Sequence, residues 1–211
     1  MKYTLILLFF VITNSLGLGT FKNGLLIDQN TNQPYTGTLE ILNNDWGNDS
    51  IEFSRQYYKG IINGIEKSYY KSGVLKSVGK FNEGLLDGSV TGYYENGSVR
   101  VVGHFYDGVK DGSVLYLYPD GSRQVEMYYD KGNLQGVVKT WYENGNLMKE
   151  EPYEKGLLHG HLKTYYESGG VFETVKYDFG SPKIMIRYRE DGTIFDQKGF
   201  INHDLVKEII I

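Results

Sequence analysis

Glycine recurs every 24 residues through most of this chain, and this spacing constrains the fold more than any other feature. Three glycine columns keep the spacing: Gly60, Gly84, Gly108, Gly132, Gly156 and Gly180; Gly64, Gly88, Gly112, Gly136 and Gly160; and Gly73, Gly97, Gly121, Gly145 and Gly169, with Gly192 one residue early. A fixed period in this range is the sequence signature of a repeat protein. Repeat proteins build extended binding surfaces. We therefore expect a binding role rather than a reaction centre.

Each unit contains two strand-like runs, shown best by residues 84–107. The runs 89–94 and 98–105 flank Asn96-Gly97, which we interpret as a two-residue hairpin turn with positive φ at both positions. A lone hairpin is only marginally stable in water, so the units must pack together. The predicted fold class is an all-β repeat architecture of stacked antiparallel β-hairpins that form an elongated sheet or solenoid.

Three aromatic columns share the 24-residue period. They are Tyr70, Tyr94, Tyr118, Tyr142 and Tyr166; Phe81, Phe105, Tyr129, Tyr153, Tyr177 and Phe200; and Tyr69, Tyr93, Leu117, Trp141 and Tyr165. Side chains alternate across a strand, so neighbouring columns point to opposite faces. We expect one face to pack against Val90, Val114, Val138 and Leu162, and the other to keep tyrosines at a wetter surface.

The two ends of the chain depart from the repeat. Residues 1–17 combine Lys2, an apolar run over 3–12, and small residues at Ser15 and Gly17, which is the pattern of a secretory signal peptide; a buried strand is the alternative. We predict a signal peptide over 1–17, a degenerate capping repeat over 18–59, six repeats over 60–203 and an edge strand over 204–211. The protein is then exported, to the periplasm, the outer membrane or the extracellular space.

Composition excludes several kinds of site. The chain has no cysteine, which removes disulfides, thiolate zinc sites and a cysteine nucleophile. Its formal net charge of −4 argues against a nucleic-acid groove, which needs clustered lysine and arginine. The 19 tyrosines and 27 glycines instead favour strands and turns.

Candidate chemistry is sparse. His159 and His161 lie close together, but no third metal ligand recurs beside them. A carboxylate precedes four of the hairpin turns, at Glu95, Glu143, Glu167 and Glu190, without the spacing of a calcium loop. Repetition also gives these carboxylates like environments, whereas a catalytic pair needs unlike ones. We therefore predict no catalytic residue, no metal site and no cofactor.

The runs "YYENGSV", "WYENGNL" and "YYESGGV", each followed by an aromatic residue and a "GLLDG"-like turn, resemble the MORN repeat variant. The resemblance covers about residues 35–203, with a longer loop and fewer "YEGEW"-like openings than the eukaryotic MORN type. It implies a family without catalytic residues. Proteins of this kind are often labelled antitoxin-like components of toxin–antitoxin systems, and other MORN repeats are linked to membrane association or protein scaffolding.

These observations predict a non-catalytic, exported module that binds another protein, with an antitoxin-like or immunity-like role. The candidate binding surface is Tyr69, Tyr93, Trp141 and Tyr165, because tyrosine and tryptophan give large, rigid contact areas with a polar tip. Two alternatives stay open. The rings can simply complete a second layer of the sheet, or the protein can be a cell-envelope scaffold that binds lipid or polysaccharide through its aromatic face.

Overall fold

The computed structural model describes residues 19–46, 50–201 and 204–208, so the predicted signal peptide lies outside the described residues. Within them the chain forms strands and one short 3-10 helix, η1 (Asn44–Trp46). The strands are β1 (Thr20–Lys22), β2 (Leu25–Ile27), β3 (Gly37–Leu42), β4 (Ile51–Tyr58), β5 (Ile61–Tyr69), β6 (Leu75–Asn82), β7 (Leu85–Tyr93), β8 (Val99–Tyr106), β9 (Val109–Leu117), β10 (Arg123–Asp130), β11 (Asn133–Leu134), β12 (Gly136–Trp141), β13 (Leu147–Glu154), β14 (Leu157–Leu158), β15 (Gly160–Tyr165), β16 (Val171–Asp178), β17 (Ser181–Tyr188), β18 (Ile194–Ile201) and β19 (Asp204–Glu208).

Strands β3 to β19 form one antiparallel sheet in chain order, in which each strand pairs with its sequence neighbour. The short strands β11 and β14 continue into β12 and β15 after one irregular residue each. Within the part of the chain that the structure describes, no pairing joins β3 to β19, so the sheet is open and these strands are its edges. The predicted fold class is confirmed.

Two kinds of turn alternate along the sheet. The two-residue turn is Glu83-Gly84 and its equivalents, because both residues have positive φ, 48° and 85°. The Asn96-Gly97 interpretation is wrong in this respect, since only Gly97 has positive φ. Gly97 N–H donates to the Tyr94 carbonyl at 2.9 Å, and Tyr94 N–H donates to the Ser98 carbonyl at 2.8 Å. This is a longer hairpin loop in which a glycine bulge follows the turn.

The turn glycines also join successive repeats. Gly84 N–H donates to the carbonyl of Ile62, one repeat earlier, at 2.8 Å, and the same bond recurs at Gly108, Gly132, Gly156 and Gly180. A Cβ at Gly132 would lie 3.0 Å from Val109 Cγ1. Glycine therefore serves three purposes at these positions. It adopts a left-handed backbone, donates a hydrogen bond to the preceding repeat and leaves room for a side chain of that repeat.

A second set of bonds joins the repeats at the opposite end of the strands. Each tyrosine of the Tyr70 column donates its hydroxyl proton to a main-chain carbonyl of the next repeat, at 2.7–2.8 Å. The acceptors are Tyr93, Leu117, Trp141, Tyr165 and Tyr188. We call these five bonds the tyrosine ladder. This column, expected only to pack, therefore also carries specific hydrogen bonds.

The buried side chains of the repeats lie on one face, which we call the inner face. Val114, Val138, Leu162 and Val175 are buried there, and Val90 is opposite Gly103 in the same row. By strand alternation the column from Phe81 to Tyr177 shares this face. The other face, the outer face, carries the column from Tyr69 to Tyr165. The expected division of the columns between two faces matches this register.

The N-terminal hairpin β1–β2 covers the first repeat at its turn end. Leu26 is 2% exposed and packs with Leu39 and Tyr57. Leu25 Cβ lies 3.0 Å from the position that a Cβ would take at Gly60. Val109 Cγ1 lies at the same distance from the equivalent position at Gly132. The hairpin thus substitutes for a preceding repeat, as a capping element does. At the other end, β19 pairs with β18 as the outermost strand. The predicted domain boundaries themselves stay predictions.

Candidate binding surface

An apolar row crosses the outer face at the strand ends next to the Asn-Gly turns. The register pairs Tyr69 with Leu75, Tyr93 with Val99, Leu117 with Arg123, Trp141 with Leu147, Tyr165 with Val171 and Tyr188 with Ile194. We call these twelve residues the aromatic stripe. It places an aromatic side chain in every repeat except one, where Leu117 stands, and an aliphatic side chain between most of them.

All four predicted site residues lie on the aromatic stripe. Tyr69, Tyr93, Trp141 and Tyr165 are each half-buried, so one part of the ring packs on the sheet and another reaches solvent. Among the described residues, the Tyr69 and Tyr93 hydroxyls and the Trp141 indole N–H have no protein acceptor. These groups are available to a ligand, whereas the hydroxyls of the tyrosine ladder are not.

Tyr165 differs from the other tyrosines of the stripe. Its hydroxyl donates to Glu150 Oε2 at 2.7 Å. Burial, the hydrogen bond to Glu150 and the charge of that carboxylate together raise the pKa of Tyr165 to about 12. The ring is thus fixed in place from strand β13, and its polar end is already used.

Trp141 lies beside a cation. The Arg123 guanidinium carbon lies 5.8 Å from the centroid of the Trp141 ring, within the range of a cation–π contact. Arg123 is exposed, so the contact is formed on the solvent side of the stripe. Any ligand that stacks on Trp141 meets this guanidinium.

Several lysines lie on the outer face beside the stripe. The two rows nearest the stripe over β5–β16 carry five lysines and two glutamates: Lys67, Lys80, Lys139, Lys163, Lys176, Glu126 and Glu150. Four of the lysines are exposed and Lys163 is half-buried. None of the five forms an ion pair with a described carboxylate. By strand alternation, Asp130, Glu154 and Asp178 lie on the same face near the other end of the strands, so the five lysines share this face with carboxylates.

The other sequence candidates form no constellation. His159 stacks on Phe179 with ring centroids 4.3 Å apart and lies 3.6 Å from Asp178. Glu95, Glu143, Glu167 and Glu190 are exposed at successive turns. No cluster of three or more potential metal ligands occurs in the described ranges. No helix within those ranges has the length and apolar character needed to cross a membrane.

Sequence reasoning missed the aliphatic half of the stripe and the lysine rows. Leu75, Val99, Leu147 and Val171 follow the turn glycines by two residues, a recurrence that could have identified them. The lysines recur irregularly at alternating strand positions, and only the register shows that they share one face.

A comparison with protein families matches the MORN repeat variant over residues 62–83, 86–106, 134–155 and 158–179. No curated protein sequence matches the chain significantly. The unit between the second and third matches has the same hairpin, with Tyr118 in the tyrosine ladder and Gly132 in the turn column. MORN repeats are a non-catalytic repeat family and generally bind proteins or membrane lipids. Four hairpin units of this chain match the MORN repeat variant.

Proposed function

We propose that this protein is a non-catalytic binding module that recognises another protein through the aromatic stripe. One observation carries the proposal: the stripe offers half-buried rings at the spacing of the repeats. The hydrogen-bond donors of Tyr69, Tyr93 and Trp141 have no acceptor among the described residues. Rigid aromatic side chains with a polar end are the residues most enriched in the energetic centres of protein interfaces. The unpaired lysines beside them favour an acidic partner.

The direct test is affinity capture from the native cell with matched variants. The wild-type chain recovers one stoichiometric protein, and Trp141→Ala loses it. Tyr106→Ala serves as the control, because Tyr106 is the last residue of β8, lies outside the stripe and is 69% exposed. Equal capture by Trp141→Ala and wild type contradicts the proposal.

The regular spacing of the rings favours one second candidate, a cell-envelope scaffold that binds lipid or polysaccharide. Aromatic rings at a constant interval can stack on successive sugar units, and the lysines attract anionic headgroups. This candidate is supported over the first if the chain alone, without a protein partner, is retained on anionic vesicles or on cell-wall polysaccharide. Tyr93→Ala should then abolish that retention.

Export and an immunity-like role complete the proposal and rest on the sequence alone. Export predicts that the mature protein begins at Leu18, which N-terminal sequencing of the native protein tests. An intact Met1 at the native terminus contradicts export. The immunity-like role predicts that the captured partner is toxic when it is expressed without this chain.

A further inference from the structure

We propose that the aromatic stripe binds an acidic, proline-rich segment of its partner in the polyproline II conformation. The inference rests on the proposed function and specifies the backbone conformation of the partner segment. The segment lies across the strands, so that one ligand turn meets one repeat.

The spacing of the repeats supports a ligand in the polyproline II conformation. Neighbouring strands lie about 4.8 Å apart, so equivalent positions in successive two-strand repeats are about 9.6 Å apart. A polyproline II helix has three residues per turn and a rise of about 3.1 Å, which gives a turn of about 9.3 Å. Every third ligand residue therefore meets an equivalent ring. An α-helical turn is only about 5.4 Å long, and the side-chain repeat of a β-strand is about 6.6 Å.

The free donors of the stripe suit the same ligand. A polyproline II helix makes no internal hydrogen bonds, so its carbonyls are free to accept. Tyr69, Tyr93 and Trp141 supply donors in three different repeats, and aromatic-lined surfaces are a recurring way to recognise this conformation. Prolines of the ligand would lie between the rings, against the aliphatic residues such as Val99 and Leu147.

The charges beside the stripe indicate which residue takes the third position in each turn of the ligand. With prolines on the stripe, the remaining ligand position faces the neighbouring rows of the outer face. The nearer of these rows holds Lys67, Lys139 and Lys163, which have no ion-pair partner among the described residues. Its two glutamates flank Lys139 and already have partners, Glu126 with Arg123 and Glu150 with the Tyr165 hydroxyl. A glutamate or aspartate at every third ligand position would meet a lysine in three of the five repeats, because Thr91 and Leu115 take the equivalent positions in the other two. A lysine at that ligand position would be repelled.

The test uses the full chain carrying Trp46→Phe, which leaves Trp141 as its only tryptophan. A peptide of five Glu-Pro-Pro units is titrated while the fluorescence of Trp141 and the anisotropy of a peptide label are recorded. The comparison peptides are a two-unit version, a version of the same composition with its glutamates clustered, and Lys-Pro-Pro. Tyr93→Ala and Lys139→Glu are the test variants, Tyr106→Ala is the control, and a melting curve verifies the fold of each.

We expect saturable binding with a change in Trp141 emission, tighter for five units than for two. Each test variant weakens binding at least about tenfold, as the loss of a central interface residue does. Equal binding of the clustered or Lys-Pro-Pro peptide overturns the inference, as does binding that Tyr93→Ala leaves intact. If no peptide binds but native capture still depends on Trp141, the inference fails and the proposed function stands. Binding to anionic vesicles alone overturns both.

Discussion

The hydroxyl of Tyr118 donates a hydrogen bond of 2.8 Å to the main-chain carbonyl of Trp141, one repeat further along the sheet. This bond ties the candidate binding surface to the framework, because the residue that supplies the carbonyl also supplies a ring of the aromatic stripe. At the other end of the strands, Gly132 N–H bonds back to the Lys110 carbonyl at 2.8 Å. Each repeat is thus held to its neighbours at both ends.

Tyr118→Phe removes one bond of the tyrosine ladder and leaves the ring in place. We expect the free energy of unfolding to fall by about 1 kcal/mol, since the Trp141 carbonyl loses its donor. Denaturation in urea measures the change. Tyr106→Phe is the matched control, because Tyr106 is exposed at the end of β8, and the stability of this variant should stay within about 0.5 kcal/mol of wild type. A Tyr118→Phe variant as stable as this control contradicts the account of the ladder.

Gly132→Ala and Gly121→Ala separate backbone strain from close packing. Both glycines have positive φ, 84° and 89°, so an alanine is strained at either position by about 1 kcal/mol. Only at Gly132 does the new Cβ meet a neighbour, Val109 Cγ1 at 3.0 Å. Gly132→Ala should therefore destabilise the protein more than Gly121→Ala. Adding Val109→Ala to Gly132→Ala should restore part of the difference in the free energy of unfolding. Equal destabilisation by the two glycine variants, without any restoration, would show that the contact with Val109 contributes nothing.

Leu26→Ala tests the N-terminal cap. Leu26 is 2% exposed against Leu39 and Tyr57, and truncating a buried leucine costs about 2–5 kcal/mol. Hydrogen exchange should show faster amide exchange in β3 and β4, with β12 and β13 less affected, because repeats interact mainly with their neighbours. Phe21→Ala is the control, since Phe21 is 64% exposed on the same hairpin. Uniform loss of protection along the sheet is the result that this account does not allow.

Tyr165 gives the surface a dependence on alkaline pH. Its pKa is raised from 10.0 to about 12 in the folded protein, so the folded state holds this proton more tightly than the unfolded state does. The stabilisation is therefore present below about pH 10 and is lost as the pH rises from there towards 12. Glu150→Gln should lower the pKa of Tyr165, followed by NMR of ring-labelled tyrosine. Glu126→Gln, on the same outer row, should leave it unchanged, and equal shifts in both variants would exclude a specific role for Glu150.

The glycine spacing predicted the hairpin unit, the open repeat architecture and the two faces of the sheet, because period and strand alternation together determine which positions share a face. It did not predict the turn types correctly. Asn96 tolerates positive φ, yet the structure uses a bulge at Gly97, while the two-residue turn is Glu83-Gly84, where glutamate gives little local signal. Local propensity was overridden by the register of the flanking strands.

The candidate surface was predicted in part. The four aromatic residues followed from their period, but the acceptors of the tyrosine ladder and the Tyr165–Glu150 bond depend on three-dimensional distances. The five unpaired lysines were not predicted, because they recur irregularly in a sequence of net negative charge. Their position beside the stripe is visible only once the register of the strands is known.

The central claim is that the aromatic stripe contacts a partner protein, and site-specific photo-crosslinking in the native cell tests it most directly. A photoreactive phenylalanine derivative replaces Trp141 in one strain and Tyr106 in another. We predict one discrete protein adduct from position 141 and none from position 106. Adducts of equal yield from both positions, or no protein adduct from position 141, would contradict the assignment of the stripe as a protein-binding surface.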